Sequence, residues 1–585
     1  MRKKVFVGLL IGVMISVLSM LAAARPGGSA SEAPLAVARS RESASESSTP
    51  WWQGAVIYEI YPRSFADSDN DGIGDLKGII QKLDYLQALG IDAIWLSPCY
   101  PSPQVDFGYD VSDYENINPE YGSLQDFDTL VAEGKKRGIR ITMDLVMNHT
   151  SDKHPWFIDS RSSRTAKDRD WYVWRDGKNG QPPNNWTSIF GGSAWTFDPQ
   201  TQQYYYHFFF PEQPDLNWRN PQVRQAMYDV VRFWLQRGGA GYRLDAVTTL
   251  FEDPPLRDNP QKRLRADGSW EQETKYNNRL PEVHDVLREL RKVIDEFPGA
   301  VLIGETGADT VAQLSEFFGR HLDEIQLPMN FFFSYVNTLS APEFRKQIAL
   351  WEKNPAGGWP LYLFSNHDAV RHYDRYGDGN HNDQIAKLTS ALLLTMRGTV
   401  QLYYGEEIGM QNLDPTRKED VKDPIGRIFW PEDKGRDGCR TPMQWNDQVN
   451  AGFCTAKPWL PVHPNYRTKN VAAEQKDPNS LLNWYKKLMA LRKKNPALLR
   501  GEYIALNEDD PNVLSYLRKA NDQVFLVALN MSGTPQTGKF DLRRYGVTAS
   551  RVRTVATSSV RKSRQEDSNR LELAPFEAYI GDVGK

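Results

Sequence analysis

The stretch Gly241-Tyr242-Arg243-Leu244-Asp245-Ala246-Val247 governs the reading of the whole chain. It follows an amphipathic helical pattern and reads as a short buried strand. Arg243 and Asp245 stand two residues apart, so on a strand their side chains share one face. A carboxylate beside a fixed arginine is expected to keep a low pKa and stay ionised, as a carboxylate nucleophile must. A structural ion pair at a strand end leaves the same pattern. The neighbouring segments decide between the two.

Working outward, strand-like and helix-like segments alternate. Strands are predicted at Val56–Phe65, Asp92–Ser97, Arg140–Val146, around Arg243, and at Val301–Glu305, Ile325–Asn330, Leu361–Ser365 and Val400–Tyr404. Amphipathic helices follow them, Val223–Leu235 and Val283–Phe297 among them. Eight such units predict an α/β fold, a closed (β/α)8 barrel with its active groups at the C-terminal strand ends. A doubly wound open sheet is the alternative, but no Gly-rich phosphate loop follows the first strand. The barrel is expected to span residues 51–149 and 214–500. The excursion 150–213, rich in Trp, Tyr, Asn and Gly, is too long for an ordinary loop and predicts an inserted domain walling the pocket. Short alternating segments over 501–585 predict a small antiparallel β-sandwich domain.

At the N-terminus, Arg2, Lys3 and Lys4 precede an apolar run from Val5 to Leu21 and then Ala22-Ala23-Ala24. That is the layout of a signal peptide over 1–24, so the body is expected to be exported, periplasmic or extracellular. An uncleaved anchor is the alternative. Residues 25–50 read as a disordered linker. The net charge of −3 and pI near 6.4, with no basic run in the body, argue against nucleic acid or an anionic membrane surface as partner. Three cysteines make no disulfide scaffold. Cys439 and Cys454 are close enough in sequence to pair in an oxidising compartment, and Cys99 reads as a small buried residue. The 17 Trp and 26 Tyr suit stacking on sugar rings and equally a large aromatic core.

Four predicted strands end in polar clusters: Asp144-Leu145-Val146-Met147-Asn148-His149, Arg243 with Asp245, Gly304-Glu305-Thr306, and Ser365-Asn366-His367-Asp368. Buried strands have no packing reason to do so. Asp245, Glu305 and Asp368 thereby gather at one barrel end, with His149 and His367 beside them. Paired carboxylates are the machinery of glycoside hydrolysis: one attacks the anomeric carbon, the other is kept protonated for the leaving oxygen. A metal site is the competing reading, but no H-x-x-x-H or H-x-H spacing supports it.

The ordered set DLVMNH, GYRLDAV, GET and SNHD, with QPDLN at Gln213–Asn217, resembles the α-amylase family of glycoside hydrolases over residues 51–585, and within it the α-glucosidase and oligo-1,6-glucosidase branch. The resemblance implies a retaining double displacement, with Asp245 as nucleophile, Glu305 as acid/base and Asp368 on the 2- and 3-hydroxyls. It implies that Arg243 orients the nucleophile and that His149 and His367 contact the sugar. Asp106, with Tyr109 as a stacking platform, looks like the family's grip on the terminal glucose, and Arg440 like the basic partner of Asp106. Such a pair would close the pocket's far end and admit only a non-reducing terminus. Phe190 and Phe209 would add apolar walls. Small or polar residues after the nucleophile track α-1,4 preference in similar enzymes, and here that residue is Ala246.

Asp67, Asp69, Asp71, Ile73 and Asp75 occupy the first positions of a calcium-type loop with Gly72 at its turn, although position 12 is Gly78, so a full EF-hand is excluded. A structural Ca²⁺, or Mg²⁺, is expected there. The substrate expected is a small oligosaccharide or disaccharide, on a monomer or weak dimer. Besides an exo-acting α-glucosidase, the sequence allows a sucrose isomerase or trehalose synthase type transglucosylase, a membrane-anchored non-catalytic transporter-associated glycoprotein, or an internally cutting amylase.

Overall fold

The computed structural model describes residues 49–264, 270–353, 357–547, 551–561 and 563–584. The expected leader, and all but the end of the expected linker, lie outside the described residues. Strands β1 (Val56–Ile60), β2 (Ala93–Leu96), β3 (Arg140–Val146), β4 (Gly241–Asp245), β5 (Val301–Gly304), β6 (Leu327–Pro328), β7 (Leu361–Tyr362) and β8 (Thr399–Tyr403) form one parallel sheet. Its order is β6-β5-β4-β3-β2-β1-β8-β7. A bridge from Met329 to Leu361 joins the two ends, so the sheet closes into the expected barrel.

The two faces of these strands explain why the site sits where it does. One face turns outward: Val56, Tyr58, Ile60, Ile94, Leu96, Ile141, Met143, Tyr242, Leu244 and Leu302 pack in the main core that the barrel helices share. The alternate residues point inward, where Ile57, Ala93, Trp95, Val301, Ile303, Leu327, Met329, Leu361 and Leu363 form an apolar plug. Further toward the C-terminal ends the inward residues become Glu59, Asp144, Arg243 and Asp245, all buried. A strand covered on both faces needs no polar residue for solvation. The polar layer above the plug is therefore a cost in stability that packing does not explain. Gly241 opens β4 at φ 136°, and a Cβ there would run into the Val301 carbonyl.

Several boundaries differ from the sequence expectation. β1 stops at Ile60 rather than Phe65, because Pro62 starts the helical turn Pro62–Phe65, where its fixed φ suits the first helical position. β6 and β7 are short because their flanks leave the ladder early. Asn330 caps the turn Phe331–Ser334, and Ser365 accepts from the His372 amide.

Between β3 and the helix Pro221–Gln236 the chain builds a helix, Pro155–Ser162, and a three-stranded antiparallel sheet of Trp174–Arg175, Gln203–Tyr206 and Trp195–Asp198, in that spatial order. Bridges His149–Asp215 and Tyr172–Leu216 tie its base to the barrel. A hairpin of Gln261–Leu264 and Trp270–Gln272 follows β4 and escapes sequence reading, since its short polar strands lack apolar alternation. It leans on the insertion through Gln272, which donates to the Asn185 carbonyl at 2.6 Å.

C-terminally, six antiparallel strands, beginning with Glu502–Leu506 and ending with Ala578–Asp582, form one sheet. A ribbon of Gln536–Gly538 and Leu571–Leu573 faces it across a core of Leu517, Leu526, Phe540, Leu542, Leu571 and Leu573. Its other side meets the barrel, where Arg345 donates to the Val513 carbonyl at 2.9 Å. Cys99, Cys439 and Cys454 are all buried thiols, so Cys439 and Cys454 are not joined. No helix among the described residues is long and apolar enough to cross a membrane.

Candidate active site

Arg243 is the centre of the polar layer. The parallel register sets Asp144 of β3 beside it, and Asp245 lies two residues on. Its Nη1 donates to Asp144 Oδ1 at 3.0 Å and to Asp245 Oδ1 at 2.6 Å, while Nη2 donates to Glu305 Oε2 at 2.7 Å. One guanidinium thus serves three carboxylates, with Trp95 stacked 5.0 Å from its Cζ. Burial pushes the Asp245 carboxyl well above the usual carboxylate range; Arg243 pulls it back, and Glu305 and Asp144 push it up again. The expectation of a low pKa from Arg243 alone is corrected here, because burial, with the charges of Glu305 and Asp144, outweighs that arginine. Asp144 is likewise pushed up to about 6, burial outweighing Arg243. Interacting acids of this kind titrate as a group rather than one by one. Ala246 sits in the left-handed region at φ 41°, a strained backbone for a non-glycine. Its N–H donates to Glu305 Oε2 at 3.0 Å, which locks the two strand ends together.

Asp368 stands in the opposite situation. Its Oδ1 accepts from Arg440 Nη2 at 2.9 Å and from Arg436 Nη1 at 3.2 Å. Burial works to raise this carboxyl, but His367, Arg436 and Arg440 outweigh it and hold Asp368 well below the ordinary range. Arg436 also donates to Asp106 Oδ1 at 2.6 Å and Asp423 Oδ1 at 2.9 Å. The guanidinium paired directly with Asp106 is therefore Arg436, and Arg440, expected in that place, sits on Asp368 instead. The two arginines are four residues apart around the helical turn Asp437–Cys439, so spacing could not tell which one reaches Asp106.

The remaining candidates line the space between these clusters. Gln213 places its amide nitrogen 3.4 Å from Asp106 and 3.0 Å from His149 Nε2. Phe209 packs 5.0 Å from the His149 ring, Phe190 packs 5.6 Å from Phe209, and Arg436 lies 6.0 Å over Phe190. Burial lowers His149 to about 4, so it is neutral at neutral pH, with Nε2 2.9 Å from the Tyr109 carbonyl. Tyr109 stacks on His367 at 5.4 Å and 8°, its hydroxyl 2.7 Å from His367 Nε2. His367 Nδ1 lies 2.6 Å from Glu59 Oε1. All thirteen sugar-site candidates thus fall in one neighbourhood.

Sequence reading passed over Asp144, Glu59, Asp423 and Arg436. Asp144 opens a strand-end cluster that had been singled out, and its i position on β3 signals an inward face. Glu59 is an acid inside an apolar strand, a signal of the same kind. Asp423 and Arg436 sit in irregular loops and carried none.

Apart from the pocket, Asp67, Asp69 and Asp71 bring carboxylate oxygens within 4.8 Å of one another, a hard-oxygen set that fits Ca²⁺ or Mg²⁺. Asp75, expected as a fourth acid, lies outside that three-acid group and caps the next helix, accepting from Gly78 N at 2.7 Å and Ser68 N at 2.7 Å. The Ile73 N–H donates to Asp71 Oδ1 at 2.7 Å within the same loop.

Residues 59–501 match the family described as alpha amylase, catalytic domain, and residues 503–580 match maltogenic amylase, C-terminal domain. A probable alpha-glucosidase of Rhizobium meliloti (strain 1021) is 45% identical over 84% of this chain and 92% of that protein. An oligo-1,6-glucosidase of Parageobacillus thermoglucosidasius is 40% identical over 91% and 98%. Among solved structures, an alpha-glucosyl transfer enzyme superposes with a TM-score of 0.85 at 41% identity, covering 92% of this chain and 100% of that one. A trehalulose synthase from Pseudomonas mesoacidophila MX-45 does so with 0.83 at 37%, covering 91% and 99%. With its carboxylates on closed-barrel strand ends and this extent of likeness, the chain belongs to the α-amylase family of glycoside hydrolases.

Proposed function

We propose that the protein is an exo-acting retaining α-glucosidase that releases glucose from the non-reducing end of small α-linked glucosides, α-1,4 in preference to α-1,6. The observation that carries this reading is Arg436, which ties Asp106, Asp423 and Asp368 into one buried knot. A knot of that kind beside the glucosyl site would stand in the path of a polymer continuing past it. Phe429 meets the loop at Gly191 above it, where a Cβ would lie 3.1 Å from the ring.

In the reaction Asp245 attacks the anomeric carbon while Glu305 delivers its proton to the leaving oxygen. The shared Arg243 keeps the two carboxyls close, in the spirit of the short separation, about 5–5.5 Å, of retaining pairs. Water then enters on the side of Glu305, which takes its proton and frees glucose. Asp368, held anionic by two arginines, accepts hydrogen bonds from ring hydroxyls and favours positive charge building on the ring. The neutral histidines His149 and His367 act as hydrogen-bonding groups. Ala246 supports the α-1,4 preference only mildly, since one methyl-scale difference is worth about 1–3 kcal/mol.

A second reading has support of its own: the solved structures above are of an alpha-glucosyl transfer enzyme and a trehalulose synthase, and such enzymes share the catalytic residues. Incubation with maltose, isomaltose, sucrose, trehalose and starch, with Asp245→Asn as control, separates the two. Glucose from maltose with starch untouched supports the exo-hydrolase; isomerised or lengthened sugars support transfer. We further propose a structural Ca²⁺ or Mg²⁺ held by Asp67, Asp69 and Asp71, export through the N-terminal segment, and a monomer or weak dimer as the working form. An internal amylase and a non-catalytic anchored glycoprotein are disfavoured by the knot at Asp106 and by the filled carboxylate positions.

A further inference from the structure

Resting on the glucosidase reading, we propose that Tyr335, stacked on Phe331, is the platform that receives the leaving group, whether a second sugar ring or an aromatic aglycone. The topology puts it there. β6 pairs with β5 so that Pro328 lies opposite Gly304, and Met329 N–H continues the ladder to the Gly304 carbonyl at 2.9 Å. The chain leaving β6 therefore emerges beside Glu305, the next residue of the β5 strand end. Asn330 caps the turn Phe331–Ser334, and Tyr335 N–H donates to the Phe331 carbonyl at 2.8 Å. This brings the two rings to 5.7 Å and 16°. Phe331 packs against the apolar plug of the barrel, which fixes the lower ring of the pair.

An exposed tyrosine is ordinary on a protein surface. This one is set apart by its neighbours. Its side chain is 41% exposed, and its hydroxyl meets no protein partner among the described residues. Burial first, and then the charges of Glu305 and Asp368, raise its hydroxyl pKa, with Arg375 opposing. The leaving oxygen must sit on Glu305 to be protonated, so the ring attached to that oxygen lies on the Glu305 side of the pocket. There an open aromatic face meets it, with a free hydroxyl to bond its edge, the amphipathic pairing at which tyrosine excels.

The test compares kcat/KM for the wild type, Tyr335→Phe and Tyr335→Ala on maltose, on an aryl α-glucoside and on α-glucosyl fluoride. The fluoride has the same glucosyl group and no leaving-group ring. Tyr335→Ala is expected to lose about ten- to a hundredfold on the two ring-bearing substrates and to stay within about twofold on the fluoride. Tyr335→Phe keeps the aryl substrate and loses part of the maltose rate. Equal losses on all three substrates, or none on any, overturn the platform. A wild type inert toward all three would overturn the glucosidase reading first, and the platform with it.

Discussion

Two charged clusters share the pocket and are wired in opposite ways. Around Arg243, one guanidinium meets Asp144, Asp245 and Glu305. Around Asp368, two guanidinia, Arg436 and Arg440, meet one carboxylate. Both clusters are buried, so desolvation presses every carboxyl toward its neutral form. The outcome differs because His367 and two guanidinia act on Asp368, whereas Asp245 has one guanidinium and two neighbouring carboxylates acting on it. Asp245 is pushed well above the ordinary carboxylate range, and Asp368 is held well below it. Retaining chemistry needs both states within one site, a proton for the leaving oxygen and a fixed negative charge beside the ring. The contrast teaches that the cations acting on a carboxylate, set against its burial and its neighbouring anions, decide the direction of its shift.

The sharpest way to break the contrast is to remove the nucleophile. Asp245→Asn is expected to cost about 10⁴-fold in kcat, the scale of losing a catalytic nucleophile. Steady-state assays on the fluoride and on maltose should agree on this, and substantial residual activity would sink the assignment.

Next in size, Arg436→Ala leaves Asp106 and Asp423 buried with their main cation gone. Removing one partner of a buried pair typically costs about 3–5 kcal/mol, readable as a lower denaturant midpoint. A variant as stable as the parent would mean the knot is not the charge lock described here.

Asp144→Asn sharpens the comparison from the other side. The charge of Asp144 helps raise Asp245, and attack requires Asp245 ionised. Removing that charge lowers the Asp245 pKa, so the acid limb of the kcat/KM–pH profile should move to lower pH. A limb that stays or moves upward contradicts the coupling of Asp144 to Asp245.

The smallest effect belongs to the acid loop outside both clusters. Burial raises Asp67 and Asp71 above the ordinary carboxylate range, as expected where acids crowd without a countercharge. Chelation should lower the melting temperature by a few degrees while leaving kcat nearly unchanged. An identical melting curve with and without chelator removes the proposed cation.

Much of this was legible in the chain. The alternation of elements gave the barrel, because a parallel strand buried on both faces leaves an apolar run that helices must separate. The polar strand ends gave Asp245, Glu305 and Asp368, because nothing in packing calls for acids there. What lay beyond reach involved distances across the fold. Arg436 and Arg440 are chemically alike and one helical turn apart, so only the folded loop shows which meets Asp106 and which meets Asp368. Asp75 matched a ligand position in the acid loop, yet the helix beginning at Leu76 claims its carboxylate as a cap.

By itself, then, the sequence determined the architecture, the carboxylates at the strand ends and the inward face on which Arg243 and Asp245 stand, since these follow from local periodicity and residue type. The tertiary structure alone decided how many charges share each guanidinium. Ionisation depends on neighbours brought together from β3, β4, β5 and the loops after β7 and β8, and no spacing along the chain records those distances.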